Sequence, residues 1–232
     1  MSAQSDNVET LAQQLRVEPP KKQLQVLQAL IEAGELGQQT VFEFLLERKK
    51  VKPTYVEGWA FCLLHQIKVD SITQGLQTHW PTGLVEPIST CKIDYLLLQT
   101  HLISQDFKVA DRLTLEKLCE LAGPAAIKRK WIYFTEVESF PIEDLRTLNT
   151  LWSVYSQGKF GFSAQRELWL GVGQNWDLLW EKIAWKRGNL WTRYPGEFIW
   201  NLSAPLGHLP LSNQLRGVRV MAALMNHPAW IA

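Results

Sequence analysis

Along the first 80 residues, apolar positions recur at intervals of three and four, the period of a helix that buries one face. Leu11 and Leu15 make the first such pair, before Pro19 and Pro20 interrupt it. Leu24, Leu27, Leu30 and Ile31 form the next stripe, closed by Gly34 and Gly37. Val41, Phe42, Leu45 and Leu46 follow, ended by the charged run Glu47 to Lys50 and by Pro53; Val56, Trp59, Ala60, Leu63 and Ile67 make another. No period-two alternation competes, so a small helical bundle or a solenoid fragment is expected. Arg48, Lys49 and Lys50 read as a solvated helix end favoured by the macrodipole, in preference to a partner patch.

A turn signal at Trp80 to Gly83 and a short linker at Pro87 to Thr90 break the pattern. The expected domains are residues 1–83, a helical bundle, and residues 84–232, a second helical domain. In the latter, Asp106 is placed to cap a helix whose face is Phe107, Ala110, Leu118, Leu121 and Ala122, stopped by Gly123-Pro124. Periodicity fails between Ala125 and Pro141, where Lys128, Arg129 and Lys130 run straight into Trp131, Ile132, Tyr133 and Phe134. It resumes with Leu145, Leu148, Trp152 and Tyr155; Ser163 and Asn175 are candidate caps for the next two helices. From Trp185 to Pro210 it fails again, and an irregular stretch of that length is usually functional. A last helix is expected to bury Leu211, Leu215, Val218, Ala222 and Met225, with Arg216 and Arg219 beside that stripe.

Composition narrows the options. The chain carries 24 basic and 23 acidic side chains, a net charge of +1, whereas coating a phosphate backbone needs a clear basic excess. Nucleic acid is therefore not an expected partner. Three scattered cysteines, Cys62, Cys91 and Cys119, give no disulfide framework or zinc knuckle and are expected reduced and at least partly buried. No signal peptide, transit peptide or membrane span is read, so a soluble protein is expected. Tryptophan is the outlier: nine of the 11 lie beyond residue 130. Such rings build cores, and they also line sites for flat organic ligands.

Catalytic patterns fail on inspection. Gly161-Phe162-Ser163-Ala164 begins a nucleophile elbow, but Gln165 stands where its last glycine belongs. Gly171-Val172-Gly173 lacks both the preceding strand and the third glycine of a dinucleotide fingerprint. The five histidines are scattered, and His208, in the irregular Pro205–Pro210 segment, is expected to bond loop backbone and not a metal. Parts for binding a flat carboxylate-bearing ring are present: Phe134 and Val137 in the first irregular stretch, Trp191 and Tyr194 in the second, Arg216 and Arg219 beyond it. Arginine suits carboxylates because its planar fork makes two-point contacts. The same parts also describe an aromatic core with two solvated arginines, and a helical adaptor that takes a peptide is the competing reading.

Asp94-Tyr95, Asp106-Phe107, Ala110-Asp111, Phe140-Pro141, Asp144-Leu145, Leu151-Trp152, the run Ser156 to Gln165 and the run Asn201 to Pro210 together resemble the genomes-uncoupled-four family, over about residues 90 to 225. The helical extension before them resembles that of its cyanobacterial members. The resemblance implies an all-α fold, with the second domain a helical core shaped like a cupped hand that binds protoporphyrin IX and Mg-protoporphyrin IX. It implies no reaction of its own and no catalytic cofactor, but a regulator or carrier that stimulates magnesium chelatase through that enzyme's large porphyrin-binding subunit in chlorophyll synthesis. Carried over by position, the porphyrin contacts would be Phe134, Val137, Trp191, Tyr194, Arg216, Arg219 and Met221, with no metal ligand. Tyr194 stands where the resemblance places a tryptophan, so stacking there is expected to be weaker. The implied location is a cyanobacterial cytoplasm or a plastid stroma, with peripheral association with thylakoid membranes.

Overall fold

The computed structural model describes residues 2–211 and 218–231. The chain divides into two compact units, residues 1–86 and 87–232.

The first unit holds α1 (Ser2–Val17), α2 (Pro20–Glu32), α3 (Glu35–Glu47), α4 (Tyr55–Ile67) and α5 (Asp70–His79). α4 packs on both α2 and α3 and is buried on nearly every side, through Val56, Ala60, Phe61, Cys62, Leu63 and Leu64. That explains its almost unbroken apolar sequence. Leu15, Leu27, Leu30, Val41 and Leu45 meet in the same core, whereas Leu24 and Ile31 lie at its half-buried margin. α5 buries only Ile72 and Leu76, too few residues to announce a stripe. Trp80 opens the expected turn, its C=O accepting from Gly83 N–H at 3.1 Å, and its ring closes the core edge-on to Phe42 and Phe61. Arg48, Lys49 and Lys50 are exposed at the end of α3 as expected, and the Arg48 guanidinium in addition pairs with the buried Glu57 carboxylate. Burial pushes that carboxyl up, but the Thr54 hydrogen bonds and the Arg48 charge bring it below the usual range.

The second unit holds α6 (Leu96–Ile103), α7 (Phe107–Ala122), α8 (Pro124–Arg129), α9 (Phe134–Val137), α10 (Ile142–Tyr155), α11 (Phe162–Gly171), α12 (Trp176–Lys182), a two-residue hairpin of β1 (Lys186–Arg187) and β2 (Leu190–Trp191), then α13 (Arg219–Met225). Among the described residues the protein is all-α apart from that hairpin, whose antiparallel register pairs Lys186 with Trp191 and Arg187 with Leu190. Gly188 and Asn189 form the two-residue turn, a pair suited to a tight hairpin. α10 is the central helix, fully burying Leu145, Leu148, Leu151, Trp152 and Tyr155. Asp106 caps α7 and Asn175 caps α12 as expected. Ser163 does not cap α11, whose cap is Gly161 at φ +120. The last helix starts at Arg219 among the described residues and buries Val220, Met221, Leu224 and Met225; Val218, expected inside, is exposed, and Leu215 lies outside the described residues. Cys91 is exposed, contrary to expectation, while Cys62 and Cys119 are buried.

The segment read as a linker is tied down. Ile88 exchanges two hydrogen bonds with the Thr147 hydroxyl, and the backbone N–H and hydroxyl of Thr90 both donate to the Asp144 carboxylate at 3.0 Å. Tyr95 donates to the other carboxylate oxygen at 2.9 Å. Asp144 sits in α10 with no solvent exposure, so these bonds replace its hydration.

Candidate ligand-binding groove

The two sequence runs that carry the family resemblance are bonded to each other. Gly161 N–H donates to Leu209 O, Gly207 N–H to Lys159 O, and the Gln165 amide to both Gly207 O and Pro210 O. Gly207 has φ +76, and a side chain there would meet the Leu168 methyl at 2.8 Å, so the close approach requires glycine. His208 completes the joint. Its Nδ1–H donates to Ile183 O at 2.6 Å and its Nε2 accepts from Ile199 N–H at 3.1 Å. Those two partners require a neutral ring, and burial holds its pKa below the usual histidine value. His208 thus bonds loop backbone, as the sequence indicates.

Around this joint the tryptophans stack. Trp169 lies 4.9 Å from Trp176, Trp176 lies 5.3 Å from Trp180, and Trp180 lies 5.4 Å from Trp185 with the rings nearly parallel. Trp191, on the hairpin, tilts against Trp180 at 6.0 Å, and Lys186 lies over its ring with Nζ 5.6 Å from the centre. Trp191 is 45% exposed and borders a hollow of 550 Å³ with Lys186, Arg187 and Glu197 at its edge. Tyr194 is similarly exposed and meets Phe198 and Trp200 edge-on. Its hydroxyl is pushed up by burial and by the nearby Asp111 charge.

The other predicted contacts gather elsewhere in the unit. α9 packs on α13, and Val137 and Met221 are buried on those two helices. Above them lies an open groove of 820 Å³, lined by Phe134, Glu138, Arg219, Ala222, Ala223 and Pro228 among others. The Arg219 guanidinium lies 5.4 Å from the Phe134 ring centre. α13 is held at its far end by Arg166, which donates to Met225 O, and the following turn by Arg146, which donates to Ala229 O. Phe134, Val137, Arg219 and Met221 are therefore brought to one place, two lining the groove and two beneath it. Trp191 and Tyr194 belong to the aromatic cluster of the hairpin and the loop after it. Arg216 lies outside the described residues.

A groove of this size falls within the roughly 300–1,000 Å³ of small-molecule sites. Phe134, Ala222, Ala223 and Pro228 give it an apolar wall, Asn226 and His227 a polar edge, and Arg219 a cation that can orient a carboxylate. Glu138, on the same wall, would repel an acidic arm and so favours the Arg219 end for it. Among the described residues, no group of three or more His, Cys, Asp or Glu could hold a metal ion. No described helix is long and apolar enough to cross a membrane. Missed by sequence reasoning were the tryptophan stack, whose members come from three elements, and the Asp144 clasp, whose partners lie about fifty residues away.

Fold and groove together define a two-unit helical protein with an apolar, arginine-edged groove in its second unit, the class of small-molecule binding proteins. Residues 88–228 match the GUN4-like family and residues 1–81 match the ARM-like repeat domain of the GUN4 N-terminus. The chain belongs to the GUN4-like family. It is 52% identical over 227 residues to the Ycf53-like protein of Synechocystis sp., covering 97% of each chain. It is 37% identical over 143 residues to the chloroplastic tetrapyrrole-binding protein of Arabidopsis thaliana, covering 58% of this chain and 54% of that one. The solved structure of GUN4 from Chlamydomonas reinhardtii superposes with a TM-score of 0.59 at 42% identity, over 62% of this chain and 95% of that one.

Proposed function

We propose that the second unit binds protoporphyrin IX and Mg-protoporphyrin IX, and that the protein stimulates magnesium chelatase as a non-catalytic regulator, acting with that enzyme's large porphyrin-binding subunit. The observation that carries this reading is Arg219 lying over Phe134 at the mouth of an apolar groove. The ring's hydrophobic faces would leave water against Phe134, Ala222 and Ala223, while a propionate pairs with the guanidinium. The relative that is a tetrapyrrole-binding protein supports the ligand class. The test is titration with protoporphyrin IX, followed by tryptophan emission. Saturable quenching at micromolar ligand is expected, reduced in an Arg219→Ala protein; no quenching overturns the reading. For the chelatase role, magnesium insertion by the purified enzyme should accelerate when the protein is added, and an unchanged rate rejects that part alone.

A cyanobacterial cytoplasm or a plastid stroma is supported by the Synechocystis and chloroplastic relatives, and peripheral membrane association there by the hairpin. Leu190 is 76% exposed, next to Trp191 and paired across the hairpin with the exposed Arg187. Apolar tips with adjacent cations favour anionic interfaces. Sedimentation with anionic vesicles should capture the protein, and a Leu190→Asp variant should stay in solution.

A further inference from the structure

Arg129 ends α8 and lies outside the groove, yet its guanidinium is held on several sides. Its Cζ is 4.7 Å from the Trp131 ring centre and 4.4 Å from that of Tyr133. Its Nη2 donates to Glu136 Oε2, and the same oxygen accepts the Tyr133 backbone N–H at 2.7 Å. The two rings meet each other at 4.4 Å, inclined at 66°. Both charged side chains are largely shielded, at 20% and 23% exposure, so solvent and salt screen the pair less than a surface pair.

These contacts close the segment 129–136 on itself. The chain leaves α8 through Lys130 in the left-handed region, at φ +62. Within a few residues it starts α9, a four-residue helix too short to hold its own shape. Glu136 both caps that helix and anchors Arg129. The first residue of α9 is Phe134, whose ring carries Arg219. Val137, at the other end of α9, is buried in the core, and α9 packs on α13, so Phe134 lies between these anchors and the segment held by Arg129.

We propose that Arg129 is a positioning residue for the groove: its clamp on Trp131, Tyr133 and Glu136 sets Phe134, and through Phe134 the wall against which Arg219 and the ligand lie. The proposal rests on the binding reading above. Arginine is required because one planar group must stack on rings and pair with a carboxylate together; lysine keeps the charge but has no plane to stack.

The test is a double-mutant cycle on protoporphyrin IX affinity, joined to amide exchange of the ligand-free protein. Arg129→Lys and, separately, Glu136→Gln should each weaken binding about tenfold, while the same changes in a Phe134→Ala background should cost less than about twofold. Losses that simply multiply would overturn the proposal, because Arg129 would then act on the ligand independently of Phe134. In the exchange experiment, amides 133–137 of the Arg129→Lys protein should lose protection about tenfold while those of α10 keep theirs. Unchanged protection at 133–137 overturns the clamp whether or not porphyrin binds. If the unmodified protein binds no porphyrin, the binding reading fails by itself and the exchange result still decides the clamp.

Discussion

Arg219 and Phe134 are each the first residue of a short helix, and the guanidinium of one lies 5.4 Å from the ring centre of the other. They are 85 residues apart in sequence. The pairing puts a cation and an aromatic face side by side at one edge of an apolar groove, the two features a carboxylate-bearing ring would need together.

Removing the cation should therefore cost affinity and not fold. Arg219→Ala is expected to weaken protoporphyrin IX binding by about ten- to a hundredfold, the loss of a charge-assisted contact of roughly 1.5–3 kcal/mol. Arg219→Lys should fall between, because a point charge replaces the fork. Fluorescence titration measures both, and unfolding free energies from urea titration should stay within about 0.5 kcal/mol of the unmodified protein.

The Asp144 clasp makes a stability prediction. Its carboxylate accepts from Thr90 twice and from Tyr95 once, all within 3.0 Å and away from water. Asp144→Ala strands those donors and should cost about 3 kcal/mol or more. Asp144→Asn keeps one acceptor and should cost less. A urea series at pH 7 would show the order, and equal midpoints for all three proteins would remove the clasp from the account.

Trp180 touches three other tryptophans. Trp180→Ala should lose about 3–5 kcal/mol, the range for emptying a large aromatic site. Because the stacked indoles couple optically, near-ultraviolet circular dichroism should collapse before secondary structure does on heating. A variant with unchanged near-ultraviolet signal would show that the rings do not stack in solution.

Two buried groups give opposite pH slopes. Burial pushes Asp111 up to about 7 from 3.8, although the Leu211 N–H bonded to it works the other way. Between those values the folded protein holds a proton that the unfolded chain has released, so this group's contribution drains away as pH rises towards 7. His208 does the reverse. Its folded pKa is lowered by burial, so below 6.5 the unfolded chain gains the proton first and stability falls with falling pH. Asp111→Asn keeps an acceptor for Leu211 and removes the titration. Its unfolding midpoint should exceed that of the unmodified protein at pH 8, with a flatter profile between pH 5 and 7. A uniform loss at every pH would contradict this.

Much of the helical organisation is legible one residue at a time. Leu27, Leu30, Val41, Leu45, Leu148 and Trp152 announce buried faces because helical spacing and hydrophobicity are local properties. Asp106 and Asn175 announce caps for the same reason, since a cap bonds only three residues ahead. Where local signals conflict, packing decides. Ser163 is a good cap by type, yet Gly161 takes the position because the backbone there has φ +120 and its N–H must reach Leu209.

The sequence by itself determined an all-helical protein with an unusual store of aromatic rings, two aperiodic stretches, and a set of aromatic and arginine residues suited to a flat acidic ligand. Only the tertiary structure decided which of them meet. Phe134 and Arg219 join because α9 packs on α13, and Trp191 joins the tryptophan stack because a two-residue turn folds the hairpin back on α12. Val137 and Met221, equally apolar on paper, end up beneath the groove and not in its wall. The physical reason is range: periodicity and capping are written within one turn of helix, whereas a groove is made by residues that only long-range burial brings together.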